Sequence, residues 1–341
     1  MYINSSNNSD EDVQDDDDDA SLQSDHSDTS SDVTQLDHTD FPTYFRERSG
    51  RLFHSHGNAP YPLPVDTPEQ QRVDAQHNLL YRLLGRHCRG PVARVVRERR
   101  RVLDICTGTG RWQVVSSVVL DMAQEFPDVR FDGIDIVPIA TRTPPDNVYF
   151  EMADVNEPWR YRNGAFDLVH ARSVSMAVLD YPALLDQAAR VLRPGGLFLA
   201  CEWARTIHIP GAADARAVAP HTHAFFDAVA AALRGRGIAP AARHLEAWLR
   251  ESGQFERVSA RTYEMPIGDW PEDAALRELG VVFRGTVMRT YAESMAVFLG
   301  ESGWRADAVQ DLLHAFGHEL NTVKGMVCRY YTVRARRRVL A

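Results

Sequence analysis

Three aspartates stand at the ends of three apolar runs, where their carboxylates could meet around a ligand. Asp104 lies near the end of the first run, Asp135 closes the second, and Asp154 follows the third. If the runs are neighbouring parallel strands, their carboxyl ends line one crevice. Carboxylates in that crevice accept hydrogen bonds from an amine, from a ribose diol and from an adenine amino group.

A turn made of Thr107, Gly108, Thr109 and Gly110 follows Asp104 and leads into a predicted helix. Its glycines allow a ligand to approach the backbone, and the helix start offers free N–H groups and a positive dipole end. The third glycine of the dinucleotide fingerprint is absent, and the acids would repel a pyrophosphate. S-adenosylmethionine carries all the expected donors and a cationic sulfonium, so it is the predicted cofactor.

The order of the motifs resembles that of the class I S-adenosylmethionine-dependent methyltransferases, and more narrowly the fungal branch with the LaeA-type regulators of secondary metabolism. The motifs are Val102–Gly110, Gly133–Pro138, Pro144–Glu151, Ala153–Trp159, Phe166–Arg172 and Val191–Gly196. The segment Tyr61–His77 resembles the lead-in of that branch. The likeness is strong over residues 58–203 and loose elsewhere. Cys106 departs from it, because the family usually has its first glycine there.

The predicted site follows from these motifs. The residues predicted to bind the cofactor are Asp104, Thr107, Gly108, Thr109, Gly110, Asp135, Ile136, Asp154, Val155, Tyr61, Arg72 and His77. The last three fold over the cofactor carboxylate if the lead-in helix closes the site; the alternative is that they only cap and pack that helix.

A hydroxyl acceptor needs a base to remove its proton. His170, at the end of the fourth predicted strand, and Glu202 or His208, at or beyond the fifth, stand where such a base is expected. The alternative for His170 is a structural hydrogen bond, and for Glu202 it is a role in shaping the substrate entrance.

Short apolar runs alternate with helical patterns, which predicts an α/β fold with a parallel sheet. The resemblance implies that this is a Rossmann-like seven-stranded methyltransferase fold with a helical lead-in and helical cap insertions. Five strands are predicted near 101–106, 129–135, 148–152, 166–171 and 197–203, and two more at 255–265 and 325–335. The resemblance implies that the last strand is antiparallel and lies between the fifth and sixth. Thr67 is predicted to open the lead-in helix, which runs to Gly85.

Charge and composition differ between the N-terminal segment and the rest of the chain. Residues 1–40 hold 13 acidic residues and no Lys or Arg, so the remainder carries a net charge of +4 within a total of −9. This segment is too polar to form a core. The predicted organisation is an acidic disordered tail over 1–45, a lead-in over 46–100 with a cofactor-covering helix, and a methyltransferase domain over 101–341 with a cap at 205–252 and 271–322.

Other classes of site are disfavoured. The four cysteines lack C-x-x-C spacing, and the acids near the crevice lack a convincing ligand set, so no metal site is predicted. The arginine clusters at 97–101 and 334–338 flank predicted strands, which favours solvated strand ends over a nucleic-acid groove. Without an apolar span or signal core, we expect no membrane association.

Two functions follow from the resemblance. The first is methylation of an oxygen, nitrogen or carboxylate of a small secondary metabolite in the cytoplasm. The alternative is LaeA-like regulation in the nucleus through protein partners that bind the acidic tail or the cap. A third reading, motivated by Cys106, is a degenerate fold that serves only as a partner surface; the retained acids Asp104, Asp135 and Asp154 argue against it.

Overall fold

A seven-stranded sheet organises the computed structural model, which describes residues 40–57, 59–87, 90–96, 100–108, 118–138 and 144–339. The strands are β1 Phe45–Arg48, β2 Arg51–His54, β3 Arg101–Ile105, β4 Arg130–Asp135, β5 Val148–Met152, β6 Phe166–Arg172, β7 Leu192–His208, β8 Phe255–Pro266 and β9 Val327–Arg337. The helices are α1 Thr67–Leu84, α2 Val92–Val95, α3 Val118–Glu125, α4 Tyr181–Val191, α5 Ala215–Val218, α6 Pro220–Gly235, α7 Leu245–Glu251, α8 Ala274–Val282, α9 Arg289–Glu301 and α10 Ala306–Thr322, with a 3-10 helix at Phe41–Tyr44 and a π-helix at Phe283–Met288.

The strand order of the sheet is β5-β4-β3-β6-β7-β9-β8. Strands β3 to β7 are parallel, and β9 is antiparallel between β7 and β8. The predicted fold class is confirmed, including the position of the last strand. The order reverses direction between β3 and β6, so the carboxyl ends of these strands border a crevice there.

Helices bury both faces of the sheet. On one face, α4 and α7 pack through residues such as Leu184 and Leu249 against Leu103 and Val169. On the other face, α2 and α3 pack against the alternate residues, among them Val102 and Leu168. Because side chains alternate along a strand, a residue's position in β3 or β6 decides which face it occupies.

The residue that caps the lead-in helix α1 is not the one that the sequence predicted. Asp66, not Thr67, is the N-cap, and its carboxylate accepts a hydrogen bond from the Glu69 backbone N–H. Proline lies in the first turn as predicted, and the left-handed Gly85 ends the helix at φ 73°. Thr67 cannot cap because it already belongs to the helix.

The cap consists of the helices between β7 and β9 other than α7, which packs on the sheet. Phe225, Phe298 and Phe316 from α6, α9 and α10 share one core, to which Leu79 of α1 also contributes. Strand β7 is longer than its predicted range and carries the chain from the sheet into this cap. Helices occupy most of the predicted ranges 205–252 and 271–322, but residues 205–208 belong to β7, and the bounds of the cap stay a prediction.

The N-terminal part of the described chain holds a feature that the sequence did not predict. Strands β1 and β2 form an antiparallel hairpin, and Arg51 of β2 pairs with the Asp66 cap at 2.5 Å. The predicted tail lies mainly outside the described residues, but its last residues, 40–45, form a turn, the 3-10 helix and the start of β1. The predicted boundary at 45 is therefore too late, while the rest of the domain division stays a prediction.

Arginines of both basic clusters bond within the protein. Arg100 pairs with Asp167 at 2.9 Å and Arg101 with Asp132 at 2.8 Å. Arg336 donates to the Gly195 carbonyl. These bonds favour strand-end positions for the clusters over a nucleic-acid groove. Residues 97–99 lie outside the described part of the chain. Within the part that the structure describes, no helix has the length and apolar character to span a membrane.

Candidate functional site

A deep cleft opens at the carboxyl ends of the parallel strands, between the sheet, α1 and the cap. Its walls come from β3 to β7, from the segment 59–65, from α1 and from the π-helix. The cleft is partly open to solvent, and both polar strand ends and apolar side chains contribute to its wall.

The turn after β3 contributes Cys106, Thr107 and Gly108 to the cleft wall. Gly108 has φ 85° and Cys106 has φ 53°, so both are left-handed. Glycine adopts that conformation without strain, which explains why a glycine is expected at position 106. The Thr107 hydroxyl is buried and has no hydrogen-bond partner among the described residues, an arrangement that fits a polar ligand. Thr109 and Gly110 lie outside the described residues.

Asp135, at the end of β4, lies beside this turn. Its Oδ2 accepts a hydrogen bond from the Gly108 backbone N–H at 2.8 Å, and its Oδ1 accepts one from Val137 at 3.2 Å. Burial raises the pKa of Asp135 to about 6, although these N–H groups oppose the rise. The carboxylate therefore holds the glycine turn and faces the cleft with its charge only partly stabilised.

Asp104 and His170 form a buried pair on neighbouring strands. His170 Nδ1 lies 2.6 Å from Asp104 Oδ1, and because a carboxylate can only accept, this nitrogen carries the proton. Asp104 lines the cleft, whereas His170 is 2% exposed and does not line it. The placement argues against the predicted base role of His170 and makes it a residue that positions Asp104.

Asp154 follows β5 and lines the cleft together with Ile136 and Val155. Its Oδ1 accepts hydrogen bonds from the backbone and side chain of Asn156 at 2.9 and 2.8 Å. The three predicted acids, Asp104, Asp135 and Asp154, are thus brought to one cleft.

Helix α1 closes one side of the cleft through Glu69, Arg72 and Gln76. Arg72 donates to Glu69 Oε1 at 2.7 Å and to Gln76 at 3.0 Å, and Glu69 Oε2 accepts from Ser294 of α9. Glu69 therefore neutralises the Arg72 guanidinium. Tyr61 also lines the cleft, and burial raises the pKa of its hydroxyl.

His77 does not reach the cleft. Arg172 donates to its Nδ1 at 2.8 Å, so the proton sits on Nε2, which lies 3.0 Å from Asp121 Oδ2. Burial lowers the pKa of His77, and the donation from Arg172 requires that Nδ1 carries no proton. His77 is not among the described residues that line the cleft, because it lies five residues after Arg72, about 140° further around the helix axis.

His77, His87 and Asp121 lie close enough together to be tested as a metal site. A metal-bound imidazole normally donates its second N–H to an acceptor. Here that nitrogen faces the Arg172 guanidinium, which is itself a donor. The group fits a hydrogen-bonded relay from Arg172 through His77 to Asp121, and not a metal ion.

Glu202 lines the cleft from β7 and accepts three hydrogen bonds. Oε1 accepts hydrogen bonds from the backbone N–H groups of Val174 and Ser175 at 2.9 and 3.0 Å, and Oε2 accepts one from the Ser175 hydroxyl at 2.8 Å. Burial raises the pKa of Glu202 to about 7. Its contacts hold the turn after β6. His208, at the end of β7, is not among the residues that line the cleft.

Two functional candidates were missed by the sequence analysis. Arg172 and Arg205 line the cleft, and neither forms an ion pair with a carboxylate in the described part of the chain. A basic residue directly after a buried strand was the available signal for Arg172. Arg205 gave no such signal, because its position depends on the extension of β7 into the cap.

Comparisons with known proteins agree with this geometry. Residues 82–259, just over half of the chain, match the family described as a methyltransferase domain. Methyltransferase pytC of Aspergillus terreus is 30% identical over 83% of this chain and 84% of that protein. The secondary metabolism regulator laeA of Coprinopsis cinerea is 32% identical, over 65% of this chain and 56% of that protein.

Among solved structures, phosphoethanolamine N-methyltransferase 2 of Haemonchus contortus in complex with S-adenosyl-L-methionine is 16% identical, with a TM-score of 0.45. The match covers 77% of this chain and 52% of that one.

Proposed function

Since the chain belongs to the class I S-adenosylmethionine-dependent methyltransferases, we propose that it methylates a small hydrophobic secondary metabolite under the helical cap. The family resemblance predicted from the sequence is confirmed, and with it the methyltransferase activity and the cofactor. S-adenosylmethionine supplies an activated methyl group and a neutral leaving group, so the protein's main task is to position the acceptor. The observation that carries the proposal is a cleft that joins acidic strand ends to an apolar chamber.

The acidic half of the cleft is the proposed cofactor site. In this proposal Asp135 accepts hydrogen bonds from the ribose, Asp104 lies near the amino group, and Asp154 lies near the adenine, with Ile136 and Val155 alongside. The unpartnered hydroxyls of Thr107 and Ser173 at the same strand ends support a polar ligand there. Thr109 and Gly110 keep their predicted place in the site.

Arg172 is the proposed partner of the cofactor carboxylate. Arg72 is less suited to that task, because Glu69 already neutralises it within the described structure. Arg172 instead donates to neutral His77, which leaves its positive charge available to an anion. In this proposal His77 and Asp121 orient the guanidinium from behind, and Tyr61 covers the site.

Calorimetry with S-adenosylhomocysteine tests the ribose assignment. Asp135→Asn should weaken binding by tenfold or more, since hydrogen bonds to a charged group contribute about 1.5–3 kcal/mol. Asp128→Asn removes an exposed carboxylate before β4 and is the matched control. Equal affinities of the two variants would refute the assignment.

The carboxylate assignment has its own test. Arg172→Gln should weaken S-adenosylhomocysteine by about tenfold, yet leave 5′-methylthioadenosine, which lacks the amino-acid part, nearly unaffected. An equal loss for both ligands would show that Arg172 acts through the fold and not through the carboxylate.

A second proposal is regulation of secondary metabolism in the nucleus through protein partners. It is supported by the 32% identity to laeA and by the acidic segment 1–40. The tagged full-length protein should then concentrate in nuclei and capture partners that are lost when Asp15–Asp19 are replaced by Asn. Cytoplasmic protein with the same partners before and after that change would leave only the metabolic role.

A further inference from the structure

The half of the cleft under the cap is apolar and partly aromatic. Its wall includes Met176, Trp203, Phe226, Phe283, Val287 and Met288. Three of these residues come from the π-helix, whose wide turn occurs often at functional sites. Such a surface favours a hydrophobic acceptor, because its burial removes apolar area from water.

The polar atoms left without a partner in this half are able to donate hydrogen bonds. The Trp203 Nε1–H and the Tyr291 hydroxyl are buried and have no hydrogen-bond partner among the described residues. Both residues line the cleft. The Trp203 indole can only donate, whereas the Tyr291 hydroxyl can donate or accept, so an oxygen atom of a substrate can accept a hydrogen bond from either group.

Arg205 adds a positive charge to these donors. It donates to the Ser175 hydroxyl at 3.4 Å and to the Ala239 carbonyl at 3.1 Å, both of which are neutral. Glu202 attracts the Arg205 guanidinium electrostatically, but the two side chains form no ion pair in the described structure, and the Glu202 oxygens accept hydrogen bonds from the turn after β6. The guanidinium can therefore receive an anionic group of the acceptor.

Among the described residues, the carboxylates in this half of the cleft are already hydrogen-bonded to neighbouring groups. None of the described residues that line it is a histidine. Its two carboxylates are Glu69, which accepts from Arg72 and Ser294, and Glu202, which accepts from Val174 and Ser175. A hydroxyl acceptor would have to lose a proton at the reaction, whereas a carboxylate arrives already ionised.

We infer that the acceptor is a hydrophobic carboxylic acid whose carboxylate is oriented by Arg205 and methylated on oxygen, an inference that rests on the proposed methyltransferase function. One carboxylate oxygen forms the new O–CH₃ bond as the sulfonium S–CH₃ bond breaks. The electron pair of the broken bond stays on sulfur, so a methyl ester and neutral S-adenosylhomocysteine result. No proton moves in this step.

Binding of matched acids and amides to the S-adenosylhomocysteine-saturated protein tests the inference. Cinnamic acid and decanoic acid are each compared by calorimetry with their primary amides, which keep the shape and lose the charge. The wild type should bind the acids about tenfold or more tightly than the amides. Arg205→Gln should abolish that preference, and Arg205→Lys should keep part of it because the charge remains.

Arg234→Gln is the matched control, because it removes an exposed positive charge from α6 in the same cap. Acids that bind no better than amides, or a preference that survives Arg205→Gln, would overturn the inference. Titrating every variant with S-adenosylhomocysteine shows independently whether that variant is folded. A wild type that does not bind it would refute the proposed function itself, whereas normal binding without acid preference refutes only the acceptor class.

Discussion

Replacing Glu202 by glutamine should remove a pH-dependent loss of stability. The Glu202 side chain is 2% exposed, and burial raises its pKa from the ordinary 4.5 to about 7. As the pH rises from 4.5 towards 7, the unfolded chain releases this proton while the folded protein keeps it. Wild-type stability therefore falls over this window, and above it the loss is complete.

The size of the loss follows from the two pKa values. Their separation corresponds to about 3 kcal/mol. Glutamine never ionises, yet its oxygen can accept from Val174 and Ser175 and its amide can donate to the Ser175 hydroxyl, so the contacts are kept. The unfolding free energy of Glu202→Gln minus that of the wild type should therefore increase by about 3 kcal/mol from about pH 4.5 to about pH 8.

Urea unfolding followed by circular dichroism measures this difference across the pH range. Taking the difference cancels the titration of every group that the two proteins share. Glu251→Gln changes an exposed carboxyl at the end of α7 and is the control for the substitution itself. If the Glu202→Gln difference did not change with pH, Glu202 would be ionised in the folded protein at ordinary pH, and the reasoning from burial would be wrong.

Three further predictions concern the turn and the sheet edge. Because burial raises the pKa of Asp135 to about 6 and a protonated carboxyl group accepts weaker hydrogen bonds from the ribose, affinity for S-adenosylhomocysteine should fall by up to about tenfold as the pH drops below that value; calorimetry showing constant affinity would refute this. Cys106 has φ 53°, so Cys106→Gly should be about 1 kcal/mol more stable than Cys106→Ala in urea unfolding, and the reverse order would contradict the strain. The Asn147 amide donates to three carbonyls around the end of α3, so Asn147→Ala should cost about 1–3 kcal/mol of unfolding free energy, and a thermal melt unchanged from wild type would contradict that role.

The strands themselves and the place of the acids at strand ends could be predicted from the sequence. Each apolar run is short and bounded by a turn or helix, so it reports its own strand without reference to distant residues. Parallel strands with helical crossovers bring their carboxyl ends to one edge, which is why Asp104, Asp135 and Asp154 meet as expected. The antiparallel last strand came from the family resemblance, because periodicity does not report strand direction.

The partners of each side chain were decided only by the tertiary structure. His170 could be placed on a strand end, but Asp104 on the adjacent strand determines that its ring is buried and bonded away from the acceptor. Arg72 and Arg172 are both arginines near the cleft, and only the position of Glu69 reveals which one is neutralised.

Local pattern therefore determined the sheet and the acidic edge, because strand formation and side-chain alternation depend on near neighbours in the chain. Whether a charged group or a lone pair is free to bind a ligand depends on residues that are far away in the sequence. Examples are Ser294, which donates to Glu69, and Ala239, whose carbonyl accepts from Arg205. Hydrogen-bond partners cannot be read from spacing, since a donor is satisfied by whichever acceptor the packing brings within reach. The acidic half of the cleft, which is the proposed cofactor site, was thus largely predictable from the sequence, whereas the apolar half depends on the packing of the cap.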